Sequence, residues 1–159
     1  EAIRLLSGCP AYCERSCTKC MRHYGNRFWH DRLDRHLGAQ FLNYARNGLA
    51  AAVAPVEKQA EQLTALCRYL ELEGWACTAR GDVGGVEAPL LVTGKQGMRS
   101  QVAVGIYPAL LDNTLKDFDH PLKRLKGRGD VHVVLLNDYI VVRDLPTAYE
   151  NFRKALQRA

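Results

Sequence analysis

The sequence lacks several things, and each absence narrows the field. No apolar run approaches the roughly 18 residues that a membrane-spanning helix needs, so no membrane partner is expected. The N-terminus has no apolar stretch with a cleavage site, so a cytoplasmic chain is expected. Its first residue is Glu1, and a fragment of a longer protein is the expected origin. No G-x-x-x-x-G-K-[ST] frame occurs. Gly81–Gly85 and Gly94-Lys95 are glycine turns outside that frame, so an ATPase motor is expected elsewhere. Internal repeats and low-complexity tracts are also missing.

What is present suits one medium domain behind a small module. There are 159 residues, 47% of them hydrophobic, with six cysteines and a formal charge of +5. The charge is uneven. Residues 1–48 carry 8 Lys+Arg against 4 acids, residues 49–94 carry 3 against 6, and residues 95–159 carry 11 against 7. The two basic ends are the candidate contacts for nucleic-acid phosphates.

Local patterns predict the elements. Residues 1–8 read as a short strand or the tail of a preceding element. Residues 31–46 read as a helix, with Leu33, Leu37, Phe41 and Ala45 on one apolar face, Asp31 and Arg35 as an i,i+4 pair, and Asn47-Gly48 as its stop. A second helix is expected over 56–73, carrying Val56, Ala60, Leu63, Cys67 and Leu70. Strands are expected over 75–80, 89–93 and 101–107. Leu110 to Lys126 reads as partly helical, interrupted by Pro121. Val131–Leu136 reads as a central strand covered on both faces, followed by an Asn137-Asp138 turn, a strand over 139–143 and a closing helix over 146–159. The expected architecture is α/β, with α+β as the alternative. Residues 1–48 would form a metal module with a helix, packed on a small mixed-sheet domain over 49–159.

Four cysteines fall within twelve residues, as Cys9-x3-Cys13-x3-Cys17-x2-Cys20. A secreted disulfide scaffold spreads its cysteines along the chain, so the clustering points to a reducing compartment and a metal. Two short loops with two thiolates each can wrap one tetrahedral ion, and a closed four-sulfur zinc site folds the chain without catalysing. Arg15, Lys19, Arg22 and Arg27 are positioned to offset the thiolate charge. His23 and His30 are alternative ligands. An iron–sulfur cluster is the alternative cofactor, because Cys13-x3-Cys17-x2-Cys20 is similar to the spacing of the radical S-adenosylmethionine enzymes. Cys67 and Cys77 read as core residues.

The stretch from Met21 to Arg35 interleaves cations with aromatics. Arginines contact phosphates and aromatics stack on bases. The competing reading packs Tyr24, Phe28 and Trp29 between the metal module and the helix, with Asp31 and Asp34 pairing arginines. The candidate nucleic-acid residues are Arg22, Arg27, Arg32 and Arg35.

Cys17-x2-Cys20-x-Arg22-x-Tyr24-x-Asn26-Arg27, followed by His30-Asp31-x-Leu33-Asp34-Arg35-x-Leu37, resembles the C-terminal zinc-binding region of bacterial DEAD/DEAH-box helicase-like proteins. These include proteins of the DISARM antiphage system and repair helicases. The resemblance covers about residues 9–42. It implies a non-catalytic zinc-bearing accessory domain, with Cys9, Cys13, Cys17 and Cys20 as ligands. The implied partners are nucleic acid, above all DNA, and a helicase motor domain or partner subunit.

The order from residue 56 is similar to the restriction-endonuclease-like fold, which implies a Mg²⁺-dependent nuclease as an alternative function. That family needs an acid after one strand and a D/E-x-K on the next. The strand over 101–107 has neither acid nor lysine, and Glu87 and Lys95 lie out of frame. A degenerate relative without the metal site is expected. His120 reads as a loop residue without a triad. A protein-interaction module is the remaining alternative.

Overall fold

A computed structural model describes residues 1–48, 51–94, 101–111 and 119–157. The chain divides into two compact units, Glu1–Ala51 and Ala52–Ala159.

The first unit begins with helix α1 (Ala2–Ser7), where a strand or tail was expected. Its Leu6 is buried, and it packs on α2 (Arg35–Asn47). Gly38 makes that approach possible: a Cβ there would sit 3.3 Å from Leu6 Cδ1 and 3.6 Å from Met21 Cε. α2 starts later than its apolar pattern suggests because Asp34 caps it, accepting from His36 N at 2.9 Å and Leu37 N at 3.2 Å. It stops at Gly48, whose φ of 65° suits glycine. The expected apolar face is corrected: Ala39 is the buried residue of α2, Phe41 is exposed, and Leu33 precedes the helix. A 3-10 helix, Tyr24–Arg32, fills the span between the cysteines and α2.

The second unit opens with two short helices where one was expected. α3 (Val56–Gln62) and α4 (Thr64–Leu72) break at Leu63. There the Thr64 hydroxyl donates to Ala60 O, a bond that tends to bend helices. Strands β1 (Ala76–Val83), β2 (Val86–Thr93), β3 (Gln101–Tyr107) and β4 (Val131–Asn137) form one sheet in the order β1-β2-β3-β4. The first three run antiparallel, and β4 joins β3 in parallel. Gly84 and Gly85, both at positive φ, make the tight β1–β2 turn.

Two expectations on this unit fail for identifiable reasons. β4 ends the strand order, so the central strands, each buried on both faces, are β2 and β3, although β4 also packs apolar residues on both of its faces. Residues 139–143 belong to helix α5 (Asp138–Arg143). The Asn137 side chain, read as part of a turn, accepts from Tyr139 N and Ile140 N and so starts a helix. Pro121 likewise begins the 3-10 helix Pro121–Leu125, a position where its missing N–H costs nothing. Of the partly helical stretch expected over Leu110 to Lys126, residues 112–118 lie outside the described residues, as does Lys95.

α6 (Leu145–Gln157) closes the chain. One sheet face packs Leu90, Val92, Val102, Val104 and Leu136 against Leu63, Leu66 and Leu70 of the α3–α4 stretch and Phe152 of α6. The other face packs Leu91, Ala103 and Val131 against Leu122 and Leu125. The fold is a mixed α/β arrangement preceded by a four-cysteine cluster.

Candidate metal centre

Two tight turns deliver the four sulfurs. At the first, Tyr12 N donates to Cys9 O at 2.9 Å, with Tyr12 at a φ of 48°. At the second, Cys20, Met21 and Arg22 all direct their N–H groups to Cys17 O. Cys9 Sγ then lies 3.6 Å from Cys17 Sγ and 3.7 Å from Cys13 Sγ. Cys20 Sγ lies 3.6 Å from Cys13 Sγ and 3.9 Å from Cys17 Sγ. All four sulfurs fall within 4.8 Å of one another. Sulfurs held about 2.3 Å from one tetrahedral ion would be about 3.8 Å apart, so the set fits a single ion. No other group of three or more possible ligands comes together among the described residues.

The electrostatics of the cluster are uneven. Burial pushes Cys9 up, but N–H groups of Ala11 and Cys13 and the sulfurs of Cys17 and Cys13 bring its thiol down to about 6. Cys13 is pushed up to about 12, by burial first and then by the sulfurs of Cys20, Cys9 and Cys17. Thiols this close lose protons in steps, and a bound cation would draw off those that remain. Backbone donors serve the sulfurs: Cys17 N reaches Cys20 Sγ at 3.3 Å and Lys19 N reaches Cys17 Sγ at 3.4 Å. Arg22, expected near the thiolates, donates from Nε to buried Ser16 Oγ at 2.9 Å.

The histidine alternatives do not reach the cluster. His23 Nδ1 accepts from Gly25 N, and His30 Nε2 lies 3.0 Å from Asn26 Oδ1. Asn26 also ties His23 N and Met21 O. That network, invisible in the spacing, shapes the loop.

The four candidate arginines separate. The Arg35 guanidinium donates to Cys13 O at 2.8 Å, Leu6 O at 2.7 Å and Ser7 O at 3.1 Å, joining the knuckle to α1. It therefore does not form the expected pair with Asp31. Arg27 lies over the rings of Tyr24 and Phe28, and Arg32 over Trp29. The packing role expected for these aromatics is corrected: Tyr24 is 80%, Phe28 78% and Trp29 55% exposed.

In the second unit, Glu87 on β2 is ion-paired with Arg80, which also reaches Glu57. Cys67 and Cys77 are half-buried against the core, as expected, and burial pushes the Cys77 thiol up to about 12. His120, expected in an ordinary loop, is buried. Its Nδ1 accepts from Leu122 N at 3.2 Å, and its ring crosses Gly105, where a Cβ would come within 2.6 Å. Burial lowers its pKa to about 4.

Fold and site together define a class: a four-cysteine metal-binding module followed by a mixed α/β unit. The chain is 38% identical over 155 residues to Druantia protein DruE from Escherichia coli (strain UMEA 4076-1). The alignment covers 98% of this chain and 8% of DruE, so the chain spans less than a tenth of that relative. No family model matches the chain. No solved structure matches it.

Proposed function

We propose that this chain is a non-catalytic zinc-bearing accessory domain of a helicase-like, nucleic-acid-processing protein of phage defence. The observation that carries the reading is the sulfur geometry: four thiols at the spacing of one tetrahedral ion. A four-iron cluster would put each sulfur on a separate iron and spread them wider. With four protein ligands the site has no open position for water, so the ion holds the knuckle together. Similarity to a Druantia protein supports the phage-defence setting. DNA contact rests on the exposed arginines, and a motor elsewhere in the parent protein rests on the sequence resemblance. The Glu87–Arg80 pair argues against a nuclease built on Glu87.

Metal analysis of protein purified without added metal, with an absorption spectrum, tests the site. About one zinc per chain and no visible absorbance is the expected result, and iron with visible bands would overturn it. Titration with DNA across a salt series tests the partner. Binding that weakens with salt is expected, and no binding even at low salt would reject the nucleic-acid role.

A further inference from the structure

The loop that follows the knuckle has a geometry that the metal site does not use. In a 3-10 helix, side chains three residues apart eclipse one another. Trp29 and Arg32 have that spacing within the helical part, Tyr24 and Arg27 have it across the kink at Asn26 (φ −112°, ψ 19°), and both pairs stack. Arg27 Cζ lies 4.3 Å from the Tyr24 ring centroid and 4.5 Å from that of Phe28. Arg32 Cζ lies 5.3 Å from the Trp29 centroid. Each guanidinium covers a single face of each ring it meets. The rings are nevertheless mostly exposed, which leaves ring surface for a ligand to stack on. The segment Tyr24–Arg32 holds one acid, Asp31.

We propose that Tyr24, Phe28 and Trp29, with Arg27 and Arg32, form a stacking surface for unpaired nucleic-acid strands, with bases on the rings and phosphates on the guanidiniums. This rests on the nucleic-acid role argued above and adds its substrate class. Every base has a stackable face, so such a surface takes a strand with little regard to sequence. A duplex keeps its base faces stacked inside and offers phosphates and groove edges, with no open face for a ring to stack on. A nucleic-acid strand also complements both halves of the arrangement. A protein partner would have to bury two arginines that have no acid partner beside them except Asp31.

The test uses the whole chain with three probes: an oligothymidylate, an abasic strand of equal length and a duplex. Oligothymidylate should bind tightest. Trp29→Ala and Phe28→Ala should each weaken it by about five- to a hundredfold while leaving the salt slope and zinc content unchanged. Neither should alter binding of the abasic strand. Arg27→Ala should reduce the salt slope by about 0.7. Equal binding of strand and duplex, or aromatic variants with unchanged affinity, would overturn the stacking surface and leave the nucleic-acid role standing. Failure of all three probes to bind would overturn both.

Discussion

Arg35 shows how a single residue can change meaning between sequence and structure. It stands among arginines that read as phosphate contacts, yet its fork is spent on three carbonyls of the knuckle and α1. Removing it leaves those acceptors without their charged donor, and hydrogen bonds to charged groups contribute about 1.5–3 kcal/mol each. Arg35→Ala should therefore lower the stability of the first unit by about 2 kcal/mol or more and speed zinc loss to a chelator. A variant that keeps its zinc like the wild type but binds DNA more weakly would restore the phosphate reading. His120 makes a second prediction at this scale. Burial holds its pKa at about 4 against an ordinary 6.5, so the unfolded chain takes up the proton first. Its contribution is complete above about pH 6.5 and declines as pH falls from 6.5 toward 4, by up to about 3 kcal/mol. His120→Asn, which keeps an acceptor for Leu122 N, should flatten that decline. Urea unfolding followed at Trp75 in a Trp29→Phe background reads the second unit alone, and equal slopes in both proteins would refute it.

Elements were legible where one cause decides them. β3 was placed correctly because its run is apolar and bounded, and the helix after Pro146 because its amphipathic period is long. Residues 139–143 were misread because Ile140, Val141 and Val142 favour strands locally, while the Asn137 cap and packing of Val141 into the core favour a helix. Asn137→Ala should cost about 1 kcal/mol in denaturant unfolding; no change would mean that packing alone sets α5. The cysteine cluster is legible from spacing because four thiols within twelve residues have few other uses. The exposure of Tyr24, Phe28 and Trp29 was not, since the same residues could face a helix or a ligand. Nor could sequence show that β2 stops pairing with β3 beyond Leu90, next to Pro89. The Ile106 N–H there donates to Gln59 Oε1 at 2.8 Å, and Gln59 Nε2 donates in turn to Ala54 O at 2.6 Å. Gln59→Leu should cost about 1–3 kcal/mol by leaving that buried N–H without an acceptor, seen as a lower urea midpoint for the second unit.

The molecule as a whole has two sources of stability. Every residue of the two sheet-packing clusters lies at Leu63 or beyond. The first unit has little comparable: among its described residues the buried apolar ones are Leu6, Cys9 and Ala39. A unit with so small a core needs a metal or another staple. Filling the site also changes its charge. Residues 1–48 are formally +4. Four thiolates around one divalent ion add −2, which leaves +2 and concentrates the attraction for phosphate on the exposed arginines. Chelation should therefore do two things at once. It should unfold residues 1–51, with loss of the α1 and α2 signal in circular dichroism, and it should abolish strand binding, because Arg27 and Arg32 then lose their stacked geometry. The thermal transition reported by Trp75 should persist. Returning zinc should restore both signals together with a stoichiometry of about one per chain. If a chelator strips the metal while helicity and strand binding survive, the ion is not what organises the first unit.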